Sequence, residues 1–176
     1  MLGPIGLRQL ALLGVALAAL VGCSEEDFSA GGGPAATSAR VPADAEPARL
    51  TRHTDGDTFH LSGIGKVRLI GIDTPEVYGE QECFGGRASS FVERTVPVGA
   101  PVRYRLGVEE RDRYGRALAY VWLDDGRFLN RMLVARGFAQ ALTVPPNVEY
   151  EDILVRAARS AREAGRGLWG PPGCAE

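Results

Sequence analysis

The sequence has no excess of positive charge, few cysteines and histidines, and no apolar run of membrane-spanning length. It has 20 basic and 22 acidic residues, so its surface as a whole is not basic enough to bind a polyanion everywhere. The two cysteines outside the N-terminal region have no flanking histidine, so the pattern disfavours a zinc site. The apolar run from Leu10 to Val21 is shorter than the roughly 20 residues that a transmembrane helix needs.

The first 22 residues have the composition of an export signal. One Arg precedes the apolar run, and the sequence L20-V-G-C23 follows it. A charged start, a short apolar core and small residues before a cleavage point predict a signal peptide over residues 1–22. The ending resembles a bacterial lipobox, which makes Cys23 the predicted lipidation site. An ordinary signal peptide with a chance cysteine is the alternative.

Residues 23–47 are rich in Gly, Ala, Ser and Pro and predict a flexible tether, followed by a folded domain over 48–176. We therefore expect a lipid-anchored protein that faces the extracytoplasmic side of a bacterial cell envelope. An oxidising compartment favours a disulfide between Cys83 and Cys174. Two free thiols and a soft-metal site are the alternatives.

Two motifs supply oxygen ligands for a hard divalent cation, D55-G-D-T58 and D73-T-P-E76. Calcium accepts about 6–8 oxygen ligands, so two carboxylates and one carbonyl leave room for water and a phosphate. The predicted metal ligands are Asp57, Asp73 and the backbone carbonyl of Thr74. Glu76 is a candidate to orient and deprotonate a water molecule, because Pro75 stiffens its turn.

Two arginines complete the inventory for cutting a phosphodiester bond. Arg68 lies in K66-V-R-L-I70, and Arg116 ends D112-R-Y-G-R116. Planar guanidinium groups meet phosphate oxygens with paired hydrogen bonds and stabilise the charge that develops there. Each motif alone also fits a simpler reading, because D-G-D and Y-G-R occur in hairpin turns and D-T-P-E occurs at helix N-termini.

In their order along the chain, these motifs resemble the staphylococcal nuclease family, from about Ala48 to Trp169. The resemblance also includes A117-L-A-Y120, the segment F128–G137 and P146-N147. It implies metal ligation by Asp57, Asp73 and Thr74, and catalysis by Arg68, Glu76 and Arg116. It further implies that Tyr114 contacts a nucleotide phosphate and that Asp55 supports the metal site from behind. Leu142 stands where family members often have a second tyrosine that stacks on the nucleotide.

Hydrophobic alternation and helical periodicity predict an α+β fold, a five-stranded OB-type barrel with about three helices. The predicted strands are 48–54, 58–61, 66–72, 102–106 and 117–123, and the predicted helices are 85–96, 128–136 and 150–164. We expect Trp122, Trp169, Phe91, Leu133 and Ile153 to lie in the core. His53 and His60 are predicted to be strand residues without a role in catalysis.

The resemblance and the motifs together predict a monomeric, calcium-dependent nuclease with low sequence specificity. Its expected substrates are DNA and RNA, and its expected products carry 3'-phosphate and 5'-hydroxyl ends. The competing hypothesis is a catalytically weak module that binds nucleic acid or protein on the same fold. A third hypothesis is a surface lipoprotein with a role in adhesion or structure.

Overall fold

Five strands form a closed barrel, shown here in a computed structural model that describes residues 39–77 and 82–171. The strands of the described part are β1 Glu46–His53, β2 Thr58–Leu61, β3 Gly65–Leu69, β4 Ile72–Asp73, β5 Pro101–Arg111, β6 Ala117–Leu123 and β7 Gln140–Ala141. Buried and exposed side chains alternate clearly along β1 and the first half of β5, whereas β6 is buried almost throughout. Its helices are α1 Gly85–Thr95, α2 Leu129–Ala135 and α3 Glu151–Glu163, with a short 3-10 helix at Gly167–Trp169. The predicted α+β barrel is confirmed.

The barrel order is β1-β2-β3-β6-β5, and β5 pairs with β1 to close it. All neighbours are antiparallel except β3 and β6, which run parallel with Val67 opposite Ala117. β4 and β7 form a separate two-stranded pair beside the barrel. This small pair was not predicted, because two-residue strands show no periodicity that a sequence pattern reveals.

The core lies inside the barrel and beneath the helices. Trp122, which is fully buried, stacks on Phe128 with ring centroids 5.0 Å apart. Phe91, Leu133 and Ile153 are buried as predicted. Trp169 differs from the prediction: it is only partly buried, at the surface, where Arg162 lies 4.3 Å from its ring centroid.

Three element boundaries differ from the prediction by two residues or more. The folded region begins before residue 48, because Glu46 and Pro47 belong to β1 and the Trp122 indole donates to the carbonyl of Ala39 at 2.7 Å. β3 ends at Leu69, since Gly71 has a φ of +78° and the chain turns there before β4. β5 continues to Arg111 through a register shift after Leu106, in a polar stretch without alternation.

Several predictions concern residues outside the described ranges. These are the signal peptide at 1–22, the lipidation site Cys23, the first part of the tether and Cys174. Both the lipid anchor and the Cys83–Cys174 disulfide therefore stay predictions. Within 39–77 and 82–171, none of the helices combines the length and the apolarity required to cross a membrane.

Candidate active site

Asp57 is the buried centre of the candidate site. It lies in the loop between β1 and β2, and only 5% of the residue is exposed. Its Oδ2 accepts hydrogen bonds from the backbone N–H and the hydroxyl of Thr74, at 2.8 and 2.9 Å. Its Oδ1 accepts one from the hydroxyl of Thr58 at 3.0 Å. Thr58 and Thr74 thereby fix this carboxylate, a function of their side chains that the sequence motifs did not reveal.

Arg68 joins Asp57 to the second predicted carboxylate, Asp73. Its Nη1 lies 2.8 Å from Asp57 Oδ2, and its Nη2 lies 2.6 Å from Asp73 Oδ1. Nη1 also donates to the carbonyls of Leu69 and Ile72, at 3.2 and 3.0 Å. With 14% of its side chain exposed, the guanidinium is held by four acceptors from two strands and a loop. The planar fork of an arginine suits this arrangement, because one group reaches two carboxylates at once.

The surrounding carboxylates have more negative charge than Arg68 alone balances. Asp55 accepts a hydrogen bond from the Asp57 N–H at 3.2 Å, and burial together with the Asp57 charge raises the pKa of Asp55 to about 6. Burial also raises the pKa of Asp73; Arg68 opposes this shift and Asp57 adds to it. A bound cation would relieve this repulsion between carboxylates.

The donor set fits a divalent cation that keeps much of its water. Asp73 presents a side chain that is 56% exposed, whereas Asp57 is enclosed. The described residues contain no cluster of three or more His, Cys, Asp or Glu side chains arranged around a metal position. Two carboxylates and a backbone carbonyl supply few protein ligands, and calcium tolerates such a loose oxygen shell.

Glu76 follows Asp73 by three residues but has an exposed side chain. Its backbone N–H donates to the Glu82 carboxylate at 3.1 Å, and its carbonyl accepts from the Glu82 N–H at 2.9 Å. Gly85, the first residue of α1, lies so close that a Cβ there would be 2.6 Å from the Glu76 carbonyl oxygen. Among the described residues, the Glu76 side chain has no hydrogen bond or ion pair with the other predicted site residues. The structure thus fixes its backbone and leaves the carboxylate open to solvent.

Arg116 is held by a residue that the sequence analysis gave no role, Asp112. Asp112 Oδ2 lies 2.6 Å from Arg116 Nε, and Oδ1 accepts the backbone N–H groups of Tyr114 and Arg116, both at 2.9 Å. Burial by itself raises the pKa of Asp112, but the hydrogen bonds from Arg116 and Tyr114 outweigh it and lower that pKa below its ordinary value. The pattern of Asp, then Gly three residues later and Arg four residues later, contains the signal for this turn.

Tyr114 projects from the same turn and is 68% exposed. The guanidinium carbons of Arg113 and Arg116 lie 4.9 and 5.4 Å from its ring centroid. Its hydroxyl also contacts Arg113 Nη2 at 2.8 Å. The two guanidinium groups beside this exposed ring provide positive charge for an anionic ligand.

The predicted residues form two groups, and Glu76 belongs to neither. Asp55, Asp57, Arg68, Asp73 and Thr74 form a hydrogen-bonded cluster, and Tyr114 with Arg116 forms the second group. In the parallel pairing of β3 with β6, Arg68 lies opposite Leu118. Arg116 is two residues before Leu118, an offset of about 7 Å along the strands.

Leu142 and the two histidines complete the comparison with the predictions. Leu142 is 43% exposed, and its N–H donates to the Gly71 carbonyl at 3.0 Å, beside β4 and Asp73. His53 and His60 lie in β1 and β2 as predicted. His60 Nε2 is 2.6 Å from Arg52 Nη2, and burial, Arg52 and Lys66 lower its pKa.

A family model described as staphylococcal nuclease homologue matches residues 66–171. The chain belongs to this family. The matched range contains Arg68, Asp73, Glu76 and Arg116, whereas Asp57 precedes it.

Three proteins are similar to this chain over most of their length. A thermonuclease of Staphylococcus hyicus is 33% identical over 148 residues, which cover 81% of this chain and 86% of the relative. A thermonuclease of Staphylococcus intermedius is 36% identical over 126 residues, covering 68% and 74% of the two chains. An uncharacterized endonuclease of Escherichia coli O157:H7 is 32% identical over 124 residues, covering 69% and 75%. The similarity to staphylococcal nuclease homologues thus extends over most of the folded region.

Proposed function

We propose that this chain is a calcium-dependent nuclease that hydrolyses phosphodiester bonds of DNA and RNA with low sequence specificity and leaves 3'-phosphate ends. Membership of the staphylococcal nuclease family supports the class of reaction, and the relatives named thermonuclease and endonuclease agree with it. The calcium requirement, the RNA substrate and the product ends rest on the resemblance and on the chemistry of the site.

The observation that carries the proposal is the fork of Arg68 between the buried Asp57 and the exposed Asp73. It brings two acidic oxygens and a guanidinium into one small volume. When bound there, calcium would neutralise phosphate charge and hold a water molecule near the scissile bond. Asp57, Asp73 and the Thr74 carbonyl are the residues that would hold it, with Asp55 supporting Asp57 from behind.

The other side chains act on the phosphate and on the water. Arg68 and Arg116 bind phosphate oxygens and stabilise the negative charge that increases during transfer. Glu76 accepts a proton from the attacking water, for which its exposed position leaves room. Tyr114 contacts a neighbouring phosphate of the strand.

Low specificity follows from the kind of contacts available. The assigned groups are carboxylates, guanidinium groups and one phenol that address metal and phosphate, and phosphate contacts carry no sequence information. Leu142 provides an apolar surface in place of a stacking tyrosine. Because aromatic stacking contributes about 1–3 kcal/mol per base, we expect weaker nucleotide binding than in family members with that tyrosine.

We also propose an extracytoplasmic location, a lipid on Cys23 and a disulfide between Cys83 and Cys174. These three proposals rest on the sequence alone. Cys23→Ser tests the anchor, because the variant should move from the membrane fraction to the soluble fraction.

Mass spectrometry of unreduced proteolytic peptides tests the disulfide. A single linked species containing both cysteines is expected, and separate alkylated peptides would contradict it.

The activity test uses a protein that begins at Ala39, since residues 39–47 contact the barrel. Cleavage of single-stranded and duplex DNA is measured with calcium and with a chelator. We expect calcium-dependent cleavage that Arg116→Ala reduces at least a hundredfold, because its guanidinium stabilises the reacting phosphate. Arg159→Ala, an exposed arginine of α3, is the matched control and should retain activity. Intact DNA under all conditions, from folded protein, would reject the nuclease.

Glu76→Gln separates the nuclease from the alternative, a module that only binds nucleic acid or protein. The substitution keeps the size of the side chain and removes its ability to accept a proton. A nuclease should lose cleavage and keep affinity for an oligonucleotide. A module that only binds should show no cleavage before or after the substitution. Its affinity for its ligand should stay unchanged.

A further inference from the structure

A groove of about 890 Å³ lies between α2 and α3, away from the candidate active site. Its floor contains apolar side chains from both helices, among them Met132, Ala135, Ile153 and Ala157. None of the residues assigned to metal binding or catalysis lines it. The groove is therefore a surface that the proposed reaction does not use.

Five arginines surround this floor, and the lining contains no acidic residue. They are Arg127, Arg131, Arg136, Arg156 and Arg166. The chain as a whole has a formal net charge of −2, so this concentration of positive charge is local. A concave surface lined by charge of one sign focuses its field on ligands of the opposite sign.

Most of this charge is uncompensated in the described part of the chain. Arg127 pairs with Asp125 at 2.6 Å. Arg166 donates to the Ser160 hydroxyl at 2.8 Å, and Arg136 lies 5.3 Å from the Phe91 ring centroid, so their partners are uncharged. Arg131 and Arg156 are exposed, and no hydrogen bond or ion pair to another described side chain engages them. Both helices thus present a guanidinium group that is available to a ligand.

We infer that the α2–α3 groove binds the phosphate backbone of a nucleic-acid strand, as a second contact for the polymer beyond the scissile bond. The inference rests on the proposed function, because a nuclease of polymers is the protein for which such a contact is useful. Guanidinium groups suit phosphate. The concave shape fits a strand better than a flat bilayer surface, and the apolar floor offers a place for bases.

Binding is measured separately from cleavage, with the full chain, calcium chelated and a fluorescent single strand of about 16 nucleotides, within the range that single-strand binding sites span. Arg131→Glu and Arg156→Glu should each weaken binding about tenfold and reduce the slope of log affinity against log salt by about 0.7 for each lost phosphate contact. Arg159→Glu is the matched control, because it makes the same change of charge on α3 but lies outside the groove. It should stay within about twofold of the wild type.

The outcomes separate this inference from the proposed function. Equal affinity of the two groove variants and the control, with melting temperatures near wild type, would overturn the groove. A second contrary result is that the groove variants bind less to vesicles of anionic lipid while they keep their affinity for the oligonucleotide. That result would also overturn the inference and would indicate a membrane contact. Absence of cleavage in calcium would reject the nuclease but would leave the groove to be judged by the binding data alone.

Discussion

Arg116 and Asp112 form a 2.6 Å ion pair across a tight turn, and the same carboxylate accepts two backbone N–H groups of that turn. One side chain thus sets both the path of the backbone and the direction of the guanidinium. An arginine that is oriented before substrate arrives loses less conformational freedom when it binds a phosphate. We regard Asp112 as a positioning residue for Arg116.

Asp112→Asn tests this role in catalysis. Asn keeps an oxygen for the backbone N–H groups but removes the charge that holds Arg116 Nε. We expect kcat to fall about tenfold with a smaller change in KM, because the loss affects an interaction made with the reacting phosphate. Steady-state cleavage of an oligonucleotide measures both constants, with Asp124→Asn as an exposed control. An unchanged kcat would show that Arg116 is oriented by other groups.

The lowered pKa of Asp112 predicts a dependence of stability on pH. A carboxyl group whose folded pKa lies below its ordinary value of 3.8 stabilises the fold above that value. The contribution is lost as pH falls through the folded pKa. The difference in free energy of unfolding between wild type and Asp112→Asn should therefore be larger at pH 6 than at pH 3. Denaturant titrations at several pH values measure it, and a difference that grows toward acid would contradict this sign.

Arg68→Lys tests the fork between the two carboxylates. Lysine keeps the positive charge, but a single ammonium group does not span Asp57 and Asp73 with separate nitrogens. We expect a loss of about 1–3 kcal/mol in stability, in the range for charge-assisted hydrogen bonds, together with a large loss of activity. Arg103→Lys is a suitable control, since the exposed Arg103 side chain donates to the Ala45 carbonyl and forms no ion pair with another described residue. Equal effects of the two substitutions would mean that only charge matters at position 68.

Asn147 joins the loop before α3 to β5, and its removal should lower the stability of the fold. Its buried amide accepts from the Glu109 N–H at 3.0 Å and donates to the Glu109 carbonyl at 2.9 Å. Asn147→Ala leaves both backbone groups without these partners and should cost about 2–4 kcal/mol. Chemical denaturation measures the change. Asn147→Asp keeps the acceptor but places a carboxylate oxygen against the Glu109 carbonyl, so it should be no more stable than the alanine variant. An alanine variant as stable as wild type would reject this assignment.

The fold was largely predictable because β1 and the first half of β5 alternate, β6 is a short continuous apolar run, and the helices are amphipathic. Thr58–Leu61 and Ala117–Leu123 were predicted with their observed bounds. The polar half of β5 was missed, because Val108 and its neighbours are exposed and no burial constrains their pattern. The early start of β1 was missed because tether-like composition conceals the contacts of Ala39 and Glu46, which depend on distant partners, Trp122 and Tyr104.

The site was predictable as a set of residue types, and less so as a set of contacts. The chemistry of the motifs and the family resemblance pointed to Asp57, Arg68 and Asp73, and the structure joins these three. Spacing did not reveal that Thr74 donates to Asp57 through its side chain, since that bond depends on how two loops fold together. It also gave no role to Asp112, because a carboxylate in a turn resembles many others of no special function.

The pairing of β4 with β7 ties Asp73 to Gln140, far along the chain. A nascent polypeptide that has been synthesised only as far as β6 lacks this support for Asp73, one of the two proposed carboxylate ligands. We therefore expect the arrangement of Asp57, Arg68 and Asp73 to form only after residues 140–141 have been synthesised, because β7 completes the pairing of β4.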